Sequence, residues 1–165
     1  MFIGSHVSIR DGYLHAAKTA HQLGATAFQF FPKNPRSINV KDFDYTDARE
    51  CSNFCLKHNI VSIAHAPYPT KLISDNEVSK EKMIKSIIND LEIVEACGSI
   101  GVVVHFGATS QLEPLEGYRK MIDLLNDVLS IWDGDAKILI ENNAGTQNDM
   151  GITSELLLMK EWVND

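Results

Sequence analysis

Three short apolar runs end in side chains able to bind a metal: Ile-Ala-His65, Val-Val-His105 and Leu-Ile-Glu141. Two imidazoles and a carboxylate, with a fourth position left open, form the ligand set of a catalytic rather than a structural zinc. An ion held in this way acidifies a bound water and neutralises charge on a phosphoryl or carbonyl oxygen. Taken singly, each residue says little, because a histidine at a strand end is most often a hydrogen-bonded packing residue and a rim glutamate pairs readily with lysine. Taken together they point to a shared metal site, since an apolar strand has no structural need to finish in an ionisable group three times in succession. His6 closes an earlier run in the same fashion and is expected beside the ligands or against substrate rather than on the ion. His15, His21 and His58 fall in helical segments and read as solvated. Cys51 and Cys55, four apart with no second pair, read as small buried hydrophobes.

The three ligands need strands of one direction to bring them together. Short β-rich runs, at Phe2 to Val7, Thr26 to Phe31, Ile60 to His65, Gly101 to His105 and Lys137 to Glu141, alternate with segments of helical period. Alternation of this kind is the pattern of βα units and a parallel sheet. The helices read from Gly12 to Leu23, Tyr45 to Asn59, a third after Ser74 and a fourth from about Pro114 to Trp132; a fifth runs from about Ser154 to the end. Ile84, Ile87, Ile88, Leu91 and Val94 give the third helix one apolar stripe, with Ser74 and Glu77 as an expected capping box and Gly98 as its stop. Ser110 and Glu113 are the expected cap of the fourth, which carries Pro114 in its first turn.

Five units in 165 residues is about 33 residues per unit, so an eight-stranded barrel would need about 260. The first strand is followed by no Gly-rich phosphate turn of the open doubly wound sheet. The expected fold is therefore α/β, a parallel (β/α) barrel type with five of its eight units, residues 1–165 forming the N-terminal portion of one barrel domain. Active sites of such barrels lie at the C-terminal strand ends, where His65, His105 and Glu141 would meet.

Two loops share that mouth. Pro32-Lys33-Asn34-Pro35-Arg36-Ser37 offers two cations and an amide suited to phosphate contacts, or equally a solvated turn built on two prolines. Tyr68, in Ala66-Pro67-Tyr68-Pro69, presents an aromatic able to stack on or wedge beside a base or sugar, or simply to pack. A net charge of −7 argues against a broadly basic polyanion-binding surface and leaves room for a local one. An odd three cysteines exclude a disulfide framework, and no run approaches the roughly eighteen apolar residues of a membrane span, so a reduced cytoplasmic chain is expected.

At these residues the sequence resembles the endonuclease IV family of apurinic/apyrimidinic DNA endonucleases. The resemblance is ordered along the whole chain: Ile-Gly-Ser-His6-Val-Ser, then Gly-Ala-Thr-Ala-Phe, Lys33-Asn34 with Arg36, His65-Ala-Pro-Tyr68, His105, and Ile-Glu141-Asn142-Asn143-Ala-Gly145. It implies a (β/α)8 barrel whose cluster of up to three zinc ions, or manganese, cleaves the phosphodiester 5′ to an abasic site in double-stranded DNA. It implies that His65, His105 and Glu141 hold one zinc, with Glu141 the catalytic carboxylate bridging to a second. Lys33, Asn34, Arg36 and Tyr68 fall to the DNA-contacting loops. Two departures lie in those loops, Pro69-Thr70-Lys71 after the tyrosine and His105-Phe106-Gly107 where the family has His-Pro-Gly. The family's other ligands belong to its sixth to eighth strands.

The leading expectation is thus a metal-dependent DNA-repair endonuclease, shortened here. The alternatives are a barrel sugar isomerase or epimerase using a His- and Glu-bound divalent metal, and a shortened chain that binds metal or DNA without turnover. An unclosed sheet leaves strand edges unpaired, so the isolated chain is expected to associate with itself or to be marginally stable.

Overall fold

The computed structural model describes residues 1–74, 76–106, 113–143 and 151–163. Gly107, Ser110 and Gly145, named above, lie outside them.

Five strands form one parallel sheet in the order β1 (Gly4–His6), β2 (Ala27–Phe30), β3 (Val61–His65), β4 (Gly101–His105) and β5 (Lys137–Glu141). Helices α1 (Tyr13–Gln22), α2 (Tyr45–His58), α3 (Glu77–Ala96) and α4 (Pro114–Ile131) connect them, and α5 (Thr153–Lys160) follows the last. Sequential order with parallel pairing throughout is the start of a barrel wall, as the alternation of apolar runs predicts. The last two strands match their predicted bounds. β1 is shorter than Phe2 to Val7, and Met1, Phe2 and Ile3 before it are exposed.

The two faces of the sheet differ at every second residue. Phe28, Phe30, Ser62, Ala64, Val102 and Val104 are buried, packed outward against the helices. Their neighbours Gln29, Ile63, Val103 and Leu139 are half-buried and look into the concave side. Strand parity therefore separates a packed layer from a lining layer, and His6, His65, His105 and Glu141 all have lining parity.

Of the expected α3 stripe, Ile87, Leu91 and Val94 are buried while Ile84 and Ile88 are half-buried, with Met83 buried beside them; Met121, Leu125 and Val128 of α4 are buried. The start of α3 differs from the expected Ser74–Glu77 box. Asn76 is the N-cap, its side chain accepting from the Ser79 N–H at 2.9 Å, while the Ser74 hydroxyl donates to the Asn76 carbonyl. Asparagine caps as well as serine, and it sits closer to the apolar stripe. Glu113 occupies the N-cap of α4 without a side-chain cap bond, and Pro114 takes the first turn. At the other end of α3, Gly98 has φ +64° and its N–H bonds the Glu95 carbonyl, with Ser99 N–H on Val94. This left-handed stop needs glycine, and a Cβ there would also lie 2.3 Å from Ser52 Oγ.

Candidate metal centre

His65 ends β3, His105 ends β4 and Glu141 ends β5, all pointing to the concave side at the C-terminal rim. His105 pairs in register with Glu141, whereas His65 pairs with Val103, two residues short of His105. This offset is the stagger of a closing barrel, and it lets side chains on three strands reach one point. His65 Nε2 lies 3.0 Å from His105 Nε2, and each stands 3.7 Å from Glu141 Oε2. Tetrahedral bonds of about 2.05 Å to a common zinc put ligand atoms about 3.3 Å apart, so the observed spacings bracket the requirement. The donor set fits the ion.

A hydrogen bond sets which nitrogen faces the site. His65 Nδ1 lies 2.7 Å from the Ala66 carbonyl oxygen, which can only accept, so Nδ1 carries the proton and Nε2 of the neutral ring presents a lone pair. Ala66 is itself held, its N–H donating to the Val103 carbonyl at 2.8 Å. Burial grades across the group, with 11% of the His65 side chain exposed against 41% for His105 and 45% for Glu141. The group is therefore open to solvent on the His105–Glu141 side.

His6 stands apart from the three. Its Nδ1 is 3.2 Å from Gln29 Oε1, and its ring lies 4.6 Å from Phe31. Phe31 in turn contacts the rings of His65, at 5.4 Å, and Tyr68, at 5.1 Å. Phe31 thus links His6, the candidate ligand and the exposed tyrosine in one row. In sequence Phe31 reads only as the end of a strand, although its lining parity with Gln29 is available there as a signal.

The cation loop divides. Arg36 is exposed, and its N–H bonds Asn34 Oδ1 at 2.9 Å while Ser37 N–H bonds the Asn34 carbonyl, so Asn34 shapes the turn that presents Arg36. Lys33 does not join them at the surface, which corrects its place among the DNA-contacting residues. It is 3% exposed and points into the core, where Nζ bonds the Ser86 carbonyl at 2.8 Å and Ser86 Oγ at 2.9 Å and lies 3.1 Å from Asp90 Oδ1. The physical reason is an acid on α3 that demands a counter-charge. Its signal is present in the sequence: Ser86 and Asp90 interrupt the apolar stripe of Met83, Ile87, Leu91 and Val94 at helical spacing.

Tyr68 is 65% exposed, and its N–H donates to the Pro35 carbonyl at 2.9 Å, joining the two loops. Cys51, Cys55 and Cys97 are free and buried, in keeping with the reading of Cys51 and Cys55 as packing residues. The Cys55 thiol is pushed well up by its hydrogen bond to Cys51 and by burial, which suits inert packing. The rings of His21 and His58 meet at 4.2 Å, tilted by 47°, in the last turns of α1 and α2.

Sequential parallel βα units define a TIM-barrel type of fold, and His65, His105 and Glu141 at its C-terminal strand ends form a group able to hold a metal ion. Residues 17–163 match the xylose isomerase-like TIM barrel family, and the chain belongs to it. It is 37% identical over 158 residues to the probable endonuclease 4 of Symbiobacterium thermophilum, an alignment covering 96% of this chain and 57% of that protein. Among solved structures, endonuclease IV from Thermus thermophilus superposes with a TM-score of 0.77 at 27% identity, covering 95% of this chain and 58% of that one. A D-psicose 3-epimerase shares the fold, with a TM-score of 0.70 at 10% identity over 99% of this chain and 61% of that one. The resemblance read from the motifs is borne out, and the chain spans little more than half the length of these relatives.

Proposed function

We propose that residues 1–165 are the N-terminal portion of a barrel that hydrolyses the phosphodiester 5′ to abasic sites in double-stranded DNA. The observation that carries this reading is the convergence of His65, His105 and Glu141 at 3.0 to 3.7 Å, in a chain similar to endonuclease IV. His65 and His105 would hold a zinc ion, or manganese, through Nε2, and Glu141 would hold it through one carboxylate oxygen with the other free to reach a second ion. Such an ion supplies charge neutralisation at phosphate oxygens and an acidified water.

The chain's own groups do the rest. Arg36, on its Asn34-shaped turn, carries an exposed cation to the phosphate backbone. Tyr68 offers a ring supported from behind by Phe31, able to stand in the space a missing base leaves. His6, held by Gln29, lines the same mouth. An exposed cation beside a supported exposed aromatic suits a nucleic acid better than the small polar ketose of the epimerase reading. The proposed setting is cytoplasmic, where such DNA lies. No helix among the described residues is long and apolar enough to cross a membrane.

The test incubates the chain, with zinc or manganese, with duplex DNA bearing one synthetic abasic site, with intact duplex, and with a panel of ketoses. Preferential binding of the lesion duplex, with slow nicking confined to the lesion, is expected. Ketose turnover would replace this reading with the epimerase one, and equal binding of both duplexes without cleavage would remove the repair function.

A further inference from the structure

Lys33 and Asp90 form an ion pair inside the protein, at 2% and 0% side-chain exposure, and the metal centre touches neither. Buried pairs of this kind add little to stability, since taking both charges out of water offsets most of their attraction. Asp90 shows that cost: burial pushes its carboxyl up to about 7 even though the Lys33 charge pulls it down. Neither Asp90 Oδ1 nor Oδ2 has a hydrogen-bond partner among the described residues, although Oδ1 lies 3.1 Å from the Lys33 ammonium. A pair that stabilises so little invites the question of what its position accomplishes.

The position is the root of the DNA-facing loops. Lys33 follows Pro32, whose carbonyl accepts from Tyr13 Oη at 2.8 Å, and three residues later the chain presents Arg36. Between them Pro35 offers its carbonyl to the Tyr68 N–H at 2.9 Å. From α3 the path is therefore continuous: Asp90 and Ser86 hold Lys33, Lys33 fixes the strand-to-loop exit, and the loop fixes both Arg36 and Tyr68. Two hydrogen bonds to Ser86 and an ion pair to Asp90, three contacts around one ammonium, define its place in a way that apolar packing would not.

We propose that the buried Lys33–Ser86–Asp90 cluster is a positioning device that sets Arg36 and Tyr68 as one unit over the mouth of the metal centre. Lys33 is a positioning residue and touches no substrate. Its purpose rests on the DNA reading and its mechanism on the loop geometry, and the two can be separated.

The experiment uses the whole chain and the variant Lys33→Met/Asp90→Val, which removes both charges and leaves neither partner buried alone. Four quantities are read: the urea unfolding midpoint, hydrogen exchange at the Tyr68 amide, zinc affinity, and fluorescence anisotropy of duplexes with and without one tetrahydrofuran abasic site. The variant is expected to unfold at no lower urea concentration and to bind zinc within about twofold of the parent. Its Tyr68 amide is expected to exchange at least tenfold faster, with a fivefold to tenfold loss of preference for the lesion duplex. Unchanged Tyr68 exchange would overturn the positioning role and leave the pair as core filling. If the parent itself does not prefer the lesion, the DNA reading falls, while faster Tyr68 exchange in the variant still upholds the coupling of the loops. Should the double variant fail to fold, Ser86→Ala removes one of the three contacts and is expected to move Tyr68 exchange the same way, about threefold. No movement there would overturn the proposal equally.

Discussion

Lys33 and Arg36 sit three residues apart on one loop, carry the same charge, and face opposite ways. Lys33 is 3% exposed and locked to α3, while Arg36 is exposed on a turn capped by the Asn34 side chain. The difference teaches that the place of a cation near the strand-end rim is set by its partners. Asp90, on α3, takes one lysine out of the exposed surface and turns it into scaffold. The same contrast holds between the two faces of the sheet, where strand parity sends Ala64 and Val104 into the core and His65 and His105 to the mouth.

Breaking the contrast at its inner member should have the largest effect. Lys33→Ala leaves Asp90 buried without its counter-charge and is expected to destabilise the chain by about 3 kcal/mol in urea unfolding. Arg36→Ala should stay within about 0.5 kcal/mol of the parent, as exposed positions do. Comparable losses in both would mean that Arg36 also bears structure.

Next in size is the division between metal and DNA. Glu141→Gln is expected to weaken zinc binding at least tenfold, about 1.4 kcal/mol, because a neutral amide replaces a carboxylate ligand. Arg36→Ala should leave zinc affinity unchanged and lower DNA affinity instead, with the slope of log K against log salt falling by about 1. In a full-length enzyme at saturating DNA, the same logic expects Glu141→Gln to impair cleavage more than Arg36→Ala.

A subtler contrast lies in pH. Because burial raises the Asp90 carboxyl to about 7 from an ordinary 3.8, the folded chain binds more protons than the unfolded one between those values. Its contribution to stability is therefore greatest near pH 4 and declines as pH rises toward 7, with a slope of at most about 1.4 kcal/mol per pH unit. Asp90→Asn should flatten that part of the stability profile, and an unchanged profile would show that the carboxyl titrates normally.

The smallest expected signal concerns the concave face. Ile63, Val103 and Leu139 are half-buried there, and β1 and β5 have unpaired outer edges among the described residues. Weak, concentration-dependent association of the isolated chain is expected in sedimentation velocity, and a strict monomer up to high micromolar concentration would count against it.

The parallel order of the strands and the identity of the three candidate ligands are legible in sequence because both follow from short-range patterns. Parity and apolar runs mark the strands, and an ionisable residue closing such a run marks the rim. Long-range pairing is not legible in the same way. Nothing near Lys33 announces Asp90, 57 positions on, and the cue is only an acid within the stripe of α3. The Asn76 cap escapes for the opposite reason, since several polar residues in a row qualify and only the folded backbone chooses between them. Phe31 escapes because its contacts, to His65 and Tyr68, are made across loops.

The central claim, that His65, His105 and Glu141 share one metal ion, is tested most directly by following the histidine ring nitrogens in ¹⁵N-labelled chain by NMR during a zinc titration. Saturable shifts at Nε2 of His65 and His105 together, with Nδ1 of His65 still protonated and both shifts weakened in Glu141→Gln, are the predicted result. Zinc that leaves these two rings untouched, or that binds His65 through Nδ1, would contradict the account.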